Sequence, residues 1–124
     1  RYKYVRDFSD SLAKQEIEAH LRTGNPVIFV VAAKSRKAGA VANKWTSGYH
    51  CMTMLGMTDT GKVIVADSVD RSTKTFGNNQ RIKYASLGEL IGYMFPCTNT
   101  TSTSIYWGGK ASSGGYILIN PQNQ

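Results

Sequence analysis

Residues 48–68 read GYHCMTMLGMTDTGKVIVADS, two apolar runs of strand length separated by Asp59-Thr60-Gly61. Apolar and β-branched runs broken by an Asp/Gly turn predict a β-hairpin. In the second run Val63 and Val65 alternate with the equally apolar Ile64 and Ala66, which predicts a strand buried on both sides. With the turn near Thr60-Gly61, facing residues sum to roughly 119 to 121, which sets Asp67 opposite about Thr53. His50 then stands at the same open end of the hairpin, one long side-chain reach beyond it. An imidazole and a carboxylate at the end of apolar strands are what a base and its orienting acid require. The acid fixes the imidazole tautomer and stabilises the imidazolium. The plainer alternative is a histidine that caps a strand and an aspartate that starts a turn with Ser68.

Upstream, SLAKQEIEAHLRT (11–23) places Ala13, Ile17, His20 and Leu21 on one helical face. Ser9, Asp10 or Ser11 can serve as N-cap and Gly24 as the residue that ends the helix. Asn25-Pro26 opens PVIFVVAA, a run that predicts a central strand buried on both faces. The small and polar residues 34–47 predict a surface loop, and residues 1–9 a strand or arm. Downstream, 68–80 predicts a polar loop and RIKYAS (81–86) a short strand. Ser86-Leu87-Gly88-Glu89 has capping-box spacing ahead of Leu90, Ile91, Met94 and Phe95, a short helix stopped before Pro96. SIYWG and GYILIN predict two more strands around the turn GGKASSGG, which has neither dinucleotide-loop nor phosphate-loop spacing. The expected fold class is α+β, with an antiparallel sheet and an N-terminal helix packed on it.

A chain of 124 residues is one domain, 1–124. Its net charge of +7, from 15 Lys and Arg against 8 Asp and Glu, favours an anionic partner. The basic residues fall in small groups (Arg1, Lys3 and Arg6; Lys34, Arg36 and Lys37) that are not interleaved with stacking aromatics. No nucleic-acid partner is therefore expected. No apolar run approaches a membrane span. With two His and no Cys-x-x-Cys, neither a metal nor another cofactor is expected. Cys51 and Cys97 could pair or remain buried thiols.

Read as one string, EIEAHLRTGNPVIFVV, SGYHCMTMLGMTDTGKVIVADS and YASLGELIGYMF resemble the C-terminal half of papain-like cysteine peptidases of the bacteriocin-processing (double-glycine) type and their secreted relatives. Gly24-Asn25-Pro26-Val27, Gly48-Tyr49-His50, Ala66-Asp67-Ser68 and Ser86-Leu87-Gly88-Glu89-Leu90 carry the resemblance, which covers roughly 10–95. It implies a papain-like fold and amide-bond hydrolysis with His50 as base and Asp67 as orienting acid. The substrate is then a peptide or a peptidoglycan cross-bridge. Trp45 and Tyr49, flanking the His50 strand, could line the substrate cleft or pack in the core. The resemblance further implies an extracellular or cell-wall location, bacterial or phage.

Two departures stand out. The family's nucleophilic Cys and its oxyanion-hole Gln lie well upstream of the histidine, and no such segment is in this sequence. Ser68 also replaces the usual Pro. Cys51 neighbours His50 on a strand and so points to the opposite face. Cys97 lacks the Gln-Ala-Cys context of caspase-like enzymes. The nucleophile is therefore expected on an N-terminal fragment of the same precursor, separated by autoproteolysis or by truncation, and this chain alone is expected to be inert. Cell-wall amidases with Cys-His-polar triads are the alternative enzyme. A non-catalytic binding or structural module on a papain-like scaffold is the alternative of another class.

Overall fold

The structure is a computed structural model, and it describes residues 2–5, 8–67, 81–94 and 114–120. In chain order the elements are β1 (Tyr2–Val5), α1 (Asp10–Arg22), β2 (Val27–Ala32), β3 (Tyr49–Met57), β4 (Lys62–Ala66), β5 (Ile82–Ser86), α2 (Leu87–Tyr93) and β6 (Tyr116–Ile119). The strands form one six-stranded sheet, ordered β1-β6-β2-β3-β4-β5, in which every pairing is antiparallel. The expected α+β class with an antiparallel sheet is observed.

Helix α1 forms where the 3.6-residue pattern predicts it. Ser9 is its N-cap, accepting a hydrogen bond from the Leu12 N–H, a contact that typically contributes about 1 kcal/mol. Gly24 follows the C-cap Thr23 at φ +88°, and its N–H returns to the Leu21 carbonyl. That left-handed conformation is why glycine ends the helix here. The apolar stripe Ala13, Ile17 and Leu21 is fully buried on the sheet. His20, at the edge of the stripe, places Nε2 2.7 Å from the Ile119 carbonyl and ties α1 to β6. At α2 Ser86 caps as predicted, accepting from the Glu89 N–H. The Glu89 carboxylate pairs with Lys44 of the preceding loop.

Both helices contribute to a single core. Ala13, Ile17 and Leu21 from α1 and Leu87, Leu90 and Ile91 from α2 join Val27, Phe29, Val31, Met52, Met54, Val63, Val65, Ala85, Tyr116 and Leu118 of the sheet. β2 is central, as its composition suggested, with β6 on one side and β3 on the other. Burial on both faces is not observed for β2 or β4. Val27, Phe29 and Val31 are buried while Ile28 and Val30 are intermediate, and β4 repeats the pattern with Val63 and Val65 against Ile64 and Ala66. The helices lie on one face, and among the described residues no second layer covers the other.

At the C-terminal end, β6 takes β1 and β2 as its neighbours, where a hairpin partner in SIYWG was expected. SIYWG, most of GGKASSGG, the 68–80 loop, Phe95 and Cys97 lie outside the described residues. Two members of the basic groups serve the fold. Arg36 donates to the Ile91 and Met94 carbonyls at the end of α2 and pairs with Asp10, and Lys3 pairs with Glu16 at 2.8 Å.

Glu16 gives the fold a pH dependence. Burial raises the affinity of its carboxyl for a proton, but hydrogen bonds from Lys3 and from Tyr116 Oη outweigh this and hold it below its usual value of 4.5. A carboxyl with a depressed folded-state pKa stabilises the fold above the unfolded value, and that stabilisation is lost as pH falls through the folded value. The stability gap between wild type and Glu16→Gln in urea titrations is therefore expected to be largest near neutrality and to narrow below pH ~4. A gap that widens in acid would contradict this role.

Candidate active site

The hairpin of β3 and β4 builds the site. Its turn is closed by the Gly61 N–H to the Thr58 carbonyl and the Thr58 N–H to the Lys62 carbonyl, with Gly61 at φ +85°. Met57 faces Val63 and Gly56 faces Ile64, but from there the register shifts, so that Met54 faces Val65 and Thr53 faces Ala66. Leu55 is the extra residue of a β-bulge on β3 and points outward, 45% exposed.

That bulge sets the register at the lower end of the predicted range, where facing residues sum to 119. Asp67 continues opposite Met52, not Thr53, and because side chains alternate, this sets it on the inner face with Met52 and His50. Opposite Thr53, it would have faced away from a residue at position 50. In the folded chain His50 Nε2 lies 2.7 Å from Asp67 Oδ1, the carboxylate side chain fully buried and the imidazole 10% exposed. His50 is held from the other side by β2, where it pairs with Val31. The Asp67 N–H donates to the Arg81 carbonyl at 2.7 Å, which fixes the backbone from which the carboxylate projects.

The second carboxylate oxygen is engaged as well. Lys83 Nζ donates to Asp67 Oδ2 at 3.1 Å, and the Lys83 side chain is 12% exposed. On β5 Lys83 faces Val65, so it shares the inner face with Asp67. Sequence reasoning found only a short strand here. The signal was the polar Lys83 between Ile82 and Tyr84 on a half-buried strand, but the sequence does not show the β4–β5 register that gives the lysine its partner.

Trp45 lies in the core cluster at 4% exposure, with Lys83 Nζ 5.9 Å and Lys44 Nζ 5.7 Å from its ring centroid, within cation–π range. Tyr49 is 46% exposed at the start of β3. Trp45 thus walls the Lys83 side of the pair, whereas Tyr49, adjacent to His50 in the strand, points to the opposite face of the sheet. Cys51, next to His50 in the strand, is exposed while Met52 is buried, as alternation requires, and partial burial raises its thiol pKa. An exposed thiol on the opposite face with a raised pKa is neither aimed at the imidazole nor activated. The described residues hold no cluster of three or more metal-ligating side chains, and no described helix is long and apolar enough to cross a membrane.

A neutral imidazole with Nε2–H donated to a carboxylate presents Nδ1 as its proton-accepting nitrogen. A buried carboxylate with an imidazole in its hydrogen-bond reach is the arrangement that a general base and its orienting acid require. The chain belongs to the Peptidase_C39 like family, whose model matches residues 1–90. The match makes it a C39-type relative of the cysteine peptidases, the class that the four sequence elements resemble, and it spans His50, Asp67 and Lys83. Comparison with curated proteins gave no match, and neither did comparison with solved structures.

Proposed function

We propose that this chain carries the histidine and aspartate of a papain-like cysteine peptidase, with His50 as general base and then acid and Asp67 as its orienter. The 2.7 Å contact between His50 Nε2 and the fully buried Asp67, inside a region matched by a C39-type family, carries the reading. The nucleophile is a cysteine on a polypeptide segment upstream of residue 1, seated beside His50 Nδ1.

In the reaction, His50 Nδ1 takes the thiol proton, and the thiolate attacks the carbonyl carbon of a peptide bond. The imidazolium returns that proton to the leaving amine as the C–N bond breaks and a thioester remains. His50 next deprotonates a water that attacks the thioester, and the thiol leaves with the proton. Asp67 stays ionised throughout and holds the ring in the tautomer both steps need. Trp45 supports the site from the core side. The net charge of +7 suits a substrate presented on an anionic polymer such as a cell wall.

Alkylation of the full-length precursor with iodoacetamide tests the assignment. The expected result is one fast-reacting cysteine outside residues 1–124, identified by peptide mass, whose rate falls when His50 is replaced by Ala. Fast labelling confined to Cys51 or Cys97 would remove the upstream nucleophile. Absence of any activated cysteine would favour the non-catalytic module.

A further inference from the structure

The Asp67 carboxylate meets two cationic or potentially cationic groups, one per oxygen. Oδ1 is 2.7 Å from His50 Nε2 and Oδ2 is 3.1 Å from Lys83 Nζ. Asp67 is fully buried, and the Lys83 side chain is nearly so. A general base and acid works best when its proton affinity lies near the working pH. An isolated buried carboxylate beside an imidazole works against this, because it stabilises the imidazolium strongly and leaves a poor acid for the leaving amine.

We propose that Lys83 is a positioning residue of the His50 and Asp67 pair. It anchors the second carboxylate oxygen, which fixes the plane in which the first meets the imidazole, and it lowers the proton affinity of His50 by sharing the carboxylate's charge. The inference rests on the reading of His50 and Asp67 as base and orienter.

The geometry makes this more than a surface ion pair. Lys83 comes from β5, Asp67 from the end of β4 and His50 from β3, so three neighbouring strands each contribute one member in fixed register. The ammonium also lies 5.9 Å from the Trp45 ring centroid, and Trp45 is 4% exposed, which shields the pair from water on that side. Low local dielectric makes the lysine's charge felt at the imidazole. The other charged groups nearby offset it little. Lys44 and Glu89 pair with each other, Arg81 is exposed at the start of β5, and Cys51 lies on the opposite face.

The test is an NMR titration of His50 in the full chain, compared among wild type, Lys83→Met, Lys83→Gln, Lys83→Arg and Asp67→Asn. Removing the charge in Lys83→Met is expected to raise the proton affinity of His50 about tenfold, one pH unit in its titration midpoint. Lys83→Gln keeps a hydrogen bond to Oδ2 without the charge and should show the same rise, which covers the case in which the methionine variant does not fold. Lys83→Arg restores charge and donor and should titrate as wild type.

In the full-length enzyme, the acidic limb of the pH-rate profile, set by deprotonation of the general base, is expected to move upward with Lys83→Gln while KM is unchanged. A merely structural lysine would lower stability without moving either titration. Unchanged His50 titration in both uncharged variants overturns the proposal. If Asp67→Asn still lowers the His50 midpoint, the base and orienter reading survives that failure. If Asp67→Asn leaves it unmoved as well, the reading falls with the proposal.

Discussion

Replacing His50 with Ala in the full-length enzyme is expected to lower kcat by about 10⁴-fold with little change in KM, read from cleavage of a fluorogenic peptide. The imidazole is used four times in the proposed cycle, to take the thiol proton, to return it to the leaving amine, to activate water and to protonate the departing thiolate. No neighbouring group can substitute. Cys51 faces the other side of the sheet, and Lys83 is held on the carboxylate. The fold should survive, because Asp67 keeps its Lys83 partner and no unpaired buried charge is created. A loss of less than tenfold in a folded variant would take His50 out of the chemistry.

Asp67→Ala is expected to act on stability as well as on turnover. The side chain is fully buried and bonded to both His50 and Lys83, so its removal leaves a nearly buried ammonium without its carboxylate. Breaking such a pair from one side typically costs about 3–5 kcal/mol. A urea titration should show a lower midpoint at unchanged slope, the sign of a stability change without a change in the surface exposed. Asp67→Asn keeps the shape and one acceptor oxygen and should lose less. A loss below about 1 kcal/mol for the alanine variant would mean that water reaches the carboxylate and that the pair is a surface contact.

The parts of this molecule that local chemistry determines were legible in its sequence. The stripe Ala13, Ile17 and Leu21, the Ser9 and Ser86 caps, the Gly24 stop and the Gly61 turn each follow from steric or hydrogen-bonding demands met within a few residues. The parts that depend on distant partners were not. Nothing near Tyr116–Ile119 announces that this strand inserts between β1 and β2, since its ladder partners lie about a hundred residues away. Apolar residues on both faces of β2 and β4 suggested two covering layers because composition reports hydrophobicity and not which neighbour supplies the burial.

The site divides in the same way. His50 and Asp67 were found because a hairpin brings its ends together by local geometry. Lys83 was missed because it reaches Asp67 only through a register set beyond a long connection. Trp45, read as either a cleft or a core residue, is buried beside the lysine that the sequence did not single out.

Leu55 touches neither His50 nor Asp67, yet the pair exists because that one position is there. Side-chain alternation makes the hairpin a counter that works modulo two. Losing or gaining a single residue between His50 and the turn would leave both chemical groups in the sequence and aim them at opposite sides of the sheet, whereas a change of two would preserve their meeting. The length of this hairpin is therefore under a constraint of odd and even, and aligned relatives whose histidine-to-aspartate spacing differs from the 17 residues seen here should differ from it by an even number or carry a compensating bulge.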